Sequence, residues 1–176
     1  VRDLKDLIAE FSRFSRLPEV RLESKAPNDL VRAALSPYAH GGPDLPPVRL
    51  ELADGLPEVQ ADPDQLKRVL LNVVNNAIEA TGERPGEGAP GELVVTTRAE
   101  KDEVVIAVAD RGPGVEDVER IFEPYYTTKV KGTGLGLATV YGIVKQGHGD
   151  ITMTSRPGVG TTFHITFPTS FARVEM

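Results

Sequence analysis

The chain has 176 residues, 40% of them hydrophobic, a formal net charge of -6 and no cysteine. That is one domain's worth of sequence with enough apolar material for a core. The acid excess argues against a nucleic-acid binder. The lack of cysteine excludes a disulfide framework or thiolate metal site and fits a reducing compartment. The longest uninterrupted apolar run, Val104 to Ala109, is far too short to cross a bilayer. The first residue is Val, with no signal peptide behind it, which suggests a piece of a longer protein.

In chain order, Val1 to Leu17 has the apolar spacing of a helix, with Val1, Leu4, Leu7, Ile8, Phe11 and Phe14 on a wide stripe that Pro18 ends. Such a stripe wants a partner, either its own domain or the other half of a helical hairpin or dimer seam. Val20 to Glu23 reads as a short edge strand. Asn28 is expected to cap a helix running to about Tyr38, followed by a turn-rich loop from Ala39 to Pro47. Val48 to Leu52 alternates like a half-buried strand, and Val59 to Ala61 is a second short one. Asp62-Pro-Asp-Gln65 joins a capping aspartate, a first-turn proline and a glutamine three residues on. The helix it starts should run to about Thr81, with Leu66, Val69, Leu70, Val73, Val74, Ala77 and Ile78 on its apolar face.

Gly82 to Gly91, rich in glycine and proline, reads as a flexible connection. Glu92 to Ala99 and Glu103 to Ala109 are strands joined by a charged turn. The second is apolar throughout, so it should be central and covered on both faces. Gly134 to Gln146 is a helix. Asp150 to Ser155 and Thr161 to Phe167 form a hairpin with Phe163, Ile165 and Phe167 on one face. Pro168 to Met176 reads as a loose tail. Together these predict an α+β protein, a two-layer α/β sandwich of three longer helices on a mainly antiparallel sheet, with a helical appendage in front.

Several residues stand out chemically. Asn72 and Asn76 share a helix face, where a carboxamide oxygen suits a hard cation such as Mg²⁺; two solvated amides are the alternative. Asp110 ends an apolar strand just before Gly112 and Gly114. A turn aspartate is the commoner use of that pattern, but a carboxylate there can also accept from an adenine amino group. Gly132-Thr-Gly-Leu-Gly136 opens a helix whose free amides would attract phosphate. It is neither a dinucleotide fingerprint nor a P-loop. Lys129 and Lys131 precede it, and Lys131 reads as a solvated charge. His40, His148 and His164 have no companions suited to a metal or a triad.

These segments resemble the catalytic, ATP-binding domain of two-component sensor histidine kinases, within the gyrase, Hsp90, histidine kinase and MutL ATPase class. Asn72 to Asn76 matches the N box, Asp110 to Gly114 the first glycine box, Phe122 to Lys129 the F box and Gly132 to Leu137 the second glycine box. Gly158 to Phe163 resembles the third. The Glu123-Pro-Tyr-Tyr-Thr-Thr-Lys129 wording and the run at residues 10 to 18 are similar to nitrogen-regulation kinases of the NtrY and NtrB kind. The resemblance implies the Bergerat-type ATP-binding fold over 19–168, with 1–18 the second helix of a partial dimerisation hairpin and 169–176 a tail.

The resemblance also implies roles. ATP and Mg²⁺ are the expected cofactors. Asn76 would ligate the metal, supported by Asn72. Asp110 would take adenine, assisted by Thr161 and the loop at Gly112 and Gly114. Lys129 with Gly132, Thr133, Gly134, Leu135 and Gly136 would hold the triphosphate. Val115 to Lys131, containing Ile121 and Phe122, would be a mobile lid whose Phe122 and Lys129 engage on closing. The phosphoacceptor histidine is missing, so transfer would go to a hairpin of the same protein outside this chain, then to a response-regulator receiver domain. The full protein would be a homodimer working in the cytoplasm and reaching the inner membrane only through other segments. Glu79 stands where many members have a phosphate-contacting lysine, and Asn72 where the ATPases of the class have a general-base glutamate. A nucleotide-binding regulatory module, a superfamily ATPase and a serine-directed kinase of the anti-sigma type are the alternatives.

Overall fold

The computed structural model describes residues 19–40, 45–82, 92–127 and 134–169. The helix expected at Val1 to Leu17, most of the Gly82 to Gly91 connection and the chain beyond Thr169 lie outside these. The described elements are β1 (Glu23–Lys25), α1 (Pro27–Leu35), β2 (Val48–Leu52), β3 (Val59–Ala61), α2 (Pro63–Gly82), β4 (Leu93–Glu100), β5 (Glu103–Asp110), α3 (Gly136–Gln146), β6 (Asp150–Arg156) and β7 (Gly160–Pro168). The main sheet has the order β2-β4-β5-β7-β6, and β1 pairs with β3 in a second, two-stranded sheet. Only β2 against β4 is parallel; the other pairs are antiparallel.

The expected two-layer sandwich is what forms. Val104, Ile106 and Val108 of β5 and Phe163, Ile165 and Phe167 of β7 pack against Val69, Val73 and Ala77 of α2, Val31 of α1 and Val140 and Val144 of α3. Each fully buried aliphatic side chain here contributes about 1.5–3 kcal/mol. β5 is central and buried on both faces, as its composition predicts, but among the described residues the second cover is not another helical layer. Val105 and Ala107, 1% and 6% exposed, stand between longer side chains of the flanking strands. Arg98 and Thr166 are the register neighbours of Val105, and Thr96 and His164 those of Ala107. Small residues on a middle strand are sealed by their taller neighbours.

Four expectations shift. The strand expected at Val20 to Glu23 forms at Glu23–Lys25, where β3 supplies the ladder. Asn28 does not cap α1: Pro27 sits in the first turn and Ala26 precedes it. Asn28 instead donates from Nδ2 to the Ala53 carbonyl at 2.8 Å and accepts from Thr97 Oγ1 at 2.8 Å, while Ala53 N–H donates to Thr97 Oγ1 at 3.0 Å. The asparagine thus ties the helix to two strands, a use of its amide that outcompetes capping. The helix gives way at Leu35 to a 3₁₀ turn, Ser36–Tyr38, because Pro37 has no N–H to bond back to the Ala33 carbonyl. The tail begins later than expected, since β7 runs through Pro168 and Thr169 N–H donates to the Asp102 carbonyl at 2.8 Å.

Asp62 fixes the start of α2. Its Oδ1 accepts from the N–H groups of Asp64 at 3.0 Å and Gln65 at 3.3 Å, which is a helix cap. Its Oδ2 accepts from Arg21 N–H at 2.9 Å, pinning the segment that leads into β1. Replacing Asp62 with Ala should cost about 0.5–2 kcal/mol of stability in a denaturant titration. Asp62→Asn separates the two functions, because an amide can keep an accepting oxygen for the cap but offers N–H, not a lone pair, to Arg21. It should hold most of the stability while hydrogen exchange at Arg21 accelerates.

Candidate functional site

Along β5 the core-facing positions run Val104, Ile106, Val108 and then Asp110. A carboxylate therefore ends an apolar row, 8% exposed. Its Oδ1 accepts from Gly112 N–H at 2.8 Å and Thr161 N–H at 3.3 Å. Its Oδ2 takes no hydrogen bond among the described residues. Burial raises the carboxyl above its ordinary value of 3.8, while the Gly112 and Thr161 amides pull it part of the way back. Thr161 lies directly opposite Asp110 across β7.

The loop after Asp110 is fastened on both sides. Toward α2, a Cβ on Gly112 would lie 2.9 Å from the Ala80 carbonyl oxygen, so only glycine lets the loop lie this close to the helix. Toward the hairpin, Gly158 N–H donates to the Pro113 carbonyl at 2.8 Å and Val115 N–H to Ser155 Oγ at 2.7 Å. Gly114 stands between these two attachments. Ser155 Oγ is also 2.9 Å from Thr161 Oγ1.

α2 forms the facing wall. Asn72 donates from Nδ2 to the Arg68 carbonyl one turn back at 3.0 Å. Its Oδ1 faces α3, since a Cβ on Gly136 would lie 3.9 Å from it. Asn76 is half-buried one turn further along α2. Asn75 accepts from the Tyr38 hydroxyl at 2.5 Å and belongs to the fold. α3 starts at Gly136, two residues later than expected. Its first intrahelical bond runs from Thr139 N–H to the Leu135 carbonyl at 2.9 Å. The amides of Gly136, Leu137 and Ala138 have no acceptor among the described residues, which makes this helix end, beside Asn72, a cluster of donors.

Between the two walls the chain makes a neck. Tyr125 N–H donates to the Gly134 carbonyl at 2.9 Å, and a Cβ on Gly134, whose φ is +73°, would collide with the Tyr125 backbone. Ile121 packs on the core. Phe122 has its ring centroid 5.6 Å from that of Tyr141 on α3 and 6.3 Å from that of Phe163 on β7. Phe122 is therefore seated in the body of the domain, because its ring gains more from two aromatic neighbours than from solvent. Lys129, Lys131, Gly132 and Thr133 lie outside the described residues.

The structure thus brings Asp110, Gly112 and Thr161 into one group and places Asn72 against Gly136 of a second. Sequence reading misses Ser155, Ala80 and Tyr125. Only the hairpin register, which sets Ser155 opposite Thr161, could have pointed to the first. The histidines are as expected: His40 and His148 are exposed, and His164 lies on the far sheet face, 3.4 Å from Thr154 Oγ1. Among the described residues no three His, Cys, Asp or Glu side chains are grouped to hold a metal, and no helix is long and apolar enough to cross a membrane.

A buried carboxylate at a strand end, walled by a two-asparagine helix and a glycine-led helix N-terminus, defines a class. The chain belongs to the histidine kinase-, DNA gyrase B-, and HSP90-like ATPase family, whose model matches residues 61–170. Within it the likeness is to histidine kinases. Sensor histidine kinase ZraS of Escherichia coli (strain K12) is 44% identical over 130 residues, covering 73% of this chain and 27% of that protein. Full-length ShkA, solved in complex with AMPPNP, superposes with a TM-score of 0.74 at 28% identity, over 95% of this chain and 36% of that one. ThkA, solved in complex with the response regulator protein TrrA, gives 0.76 at 27% identity, over 95% and 47%. The chain spans about a quarter of the length of the curated relatives it matches. It is an ATP-binding domain of the histidine kinase type.

Two outcomes check this geometry. Gly112→Ala should destabilise the domain by about 1–3 kcal/mol by overpacking against Ala80, read by thermal unfolding. Asp110→Asn keeps an accepting oxygen but no charge. A raised folded pKa gives stability that is full below 3.8 and lost as pH rises through the raised value. The wild type should therefore lose stability relative to Asp110→Asn across that window, and a constant difference would contradict the buried carboxylate.

Proposed function

We propose that this chain is the ATP-binding catalytic domain of a sensor histidine kinase. It transfers the γ-phosphoryl group of Mg-ATP to a histidine on another segment of the same protein, for onward transfer to a response-regulator aspartate. The observation that carries this is a pairing of groups without partners among the described residues: a carboxylate oxygen at Asp110 on one side, the amides at the start of α3 beside Asn72 on the other. An adenine amino group suits the first and a triphosphate the second.

Asp110 accepts from the base, Thr161 assists, and the close-lying loop at Gly112 and Gly114 admits a flat ring. Gly132 to Gly136 and Lys129 hold the phosphates, with Ile121 and Phe122 completing the wall. Asn76, supported by Asn72, takes Mg²⁺. A carboxamide oxygen is a hard donor of the kind Mg²⁺ accepts alongside water and phosphate, so the residues present fit that ion. When bound it neutralises charge on the transferring group, and the chain's own work is positioning and charge stabilisation. A water-activating ATPase would need a general base where Asn72 stands, and an amide takes up no proton near neutral pH. None of the three histidines is followed by an acidic residue on a helix, as the resemblance implies for an acceptor, so the acceptor is supplied in trans or by a neighbouring segment. The response-regulator partner is supported by the likeness to ThkA, and the nitrogen-regulation branch by the Glu123 to Lys129 wording. Homodimerisation and a cytoplasmic location follow from the same kinase reading.

Mixing the chain with labelled ATP, Mg²⁺ and a separate hairpin bearing a phosphoacceptor histidine should label that histidine. Asn76→Asp and Lys129→Ala should each slow labelling by about a hundredfold. Release of phosphate with no label on the hairpin would overturn the kinase reading in favour of an ATPase.

A further inference from the structure

Asp110, Thr161 and Ser155 form one row across β5, β7 and β6, each directly opposite the next. Directly opposed residues share a face, so all three side chains emerge together at the end of the core. Asp110 and Thr161 already have roles in the proposed function. Ser155 has none, yet it carries the most hydrogen bonds of the three. Its Oγ accepts from Val115 N–H at 2.7 Å, lies 2.9 Å from Thr161 Oγ1 and reaches the Gly160 carbonyl at 3.2 Å.

A hydroxyl has one hydrogen and two lone pairs. With one lone pair of Ser155 held by the Val115 amide, its hydrogen has two destinations. If it goes to the Gly160 carbonyl, the Thr161 hydroxyl must donate back to Ser155, and Thr161 then offers a ligand only lone pairs. If it goes to Thr161, the Thr161 hydrogen is released and can donate outward. The second path is the shorter, 2.9 Å against 3.2 Å. The amide hydrogen bond arriving at Ser155 also strengthens its O–H as a donor. Thr161 Oγ1 has no other partner among the described residues.

We propose that Ser155 is a positioning residue that turns the Thr161 hydroxyl into an outward donor, so that the row reads adenine against guanine. The proposal rests on the adenine role given to Asp110 above. Asp110 Oδ2 offers an acceptor and Thr161 a donor beside it. The Watson–Crick edge of adenine presents the complement, an amino donor next to the N1 acceptor. Guanine presents the inverse, a carbonyl acceptor next to an N1–H donor, and is mismatched at both positions. Asp110 alone would reject only the carbonyl. Ser155 adds the second discrimination without touching the nucleotide, acting directly or through one bridging water at Thr161.

The test measures affinities of ATP, GTP and 1-deaza-ATP, which lacks the N1 acceptor, for the 176-residue chain and its variants. Ser155→Ala should weaken ATP by about two- to tenfold, one hydrogen bond's worth, leave GTP unchanged, and leave 1-deaza-ATP unchanged. Ser155→Thr, which keeps the hydroxyl, should restore the ATP preference. Equal weakening of ATP and GTP, or no change in either, would overturn the role of Ser155. Asp110→Asn, run in the same assay, separates the two claims: it should reduce the preference for ATP, and adding Ser155→Ala should reduce it further. A wild type that binds GTP as well as ATP would sink the adenine reading and this proposal with it. Thermal unfolding monitors each variant. Should Ser155→Ala fail to fold, Ser155→Cys, of similar size with a weak donor, is read instead, and an unchanged ATP to GTP ratio there counts against the proposal.

Discussion

The interaction on which this domain turns is the division of labour between the two oxygens of Asp110. A carboxylate at the end of a buried apolar strand costs desolvation, which is why burial raises its pKa. The fold offsets that cost with two backbone amides, both on Oδ1. Those amides come from the loop after β5 and from β7, so the charge organises its own surroundings: it draws the loop back over the strand end and holds the hairpin against it. Everything else at this wall follows. Gly112 must be small because the drawn-back loop lies on Ala80, and Ser155 must be polar because the same loop delivers the Val115 amide to it.

The second wall is built by a different logic. α2 is positioned at its start by Asp62 and braced near its middle by Tyr38, whose hydroxyl engages Asn75. Asn28, Thr97 and Ala53 lock α1 to the sheet edge through side-chain bonds. The helix that carries Asn72 and Asn76 is therefore held at several points. Polar residues in the layer between helices and sheet serve as fasteners here, while Asn72 bonds back within its own helix and turns its Oδ1 toward Gly136.

The fold was legible in the sequence wherever periodicity and cap chemistry are local. Asp62-Pro-Asp-Gln65 located α2, and the alternation of Phe163, Ile165 and Phe167 located β7. What escaped was decided by contacts between distant residues. Asn28 has the composition of a cap, but its amide found partners at Ala53 and Thr97, far away along the chain. The all-apolar run of β5 predicted two covered faces without saying that side chains of neighbouring strands could provide one. At the site, Asp110, Gly112 and Asn72 were legible because glycine spacing and misplaced polarity are visible in one dimension. Ser155 was not, since a serine in an alternating strand carries no signal until the register sets it opposite Thr161.

The neck between Tyr125 and Gly134 has a consequence for how such a domain can change over time. A backbone hydrogen bond already joins the two ends of the intervening segment, so its closure entropy is settled at the base. Each doubling of the length enclosed adds only about 0.6 kcal/mol. The frame, from Phe122 on one side to the first amides of α3 on the other, is insulated from insertions and deletions between. A change in length between Tyr125 and Gly134 would therefore move Lys129 and Gly132, on which the proposed phosphate contacts depend, while leaving the described frame on either side in register.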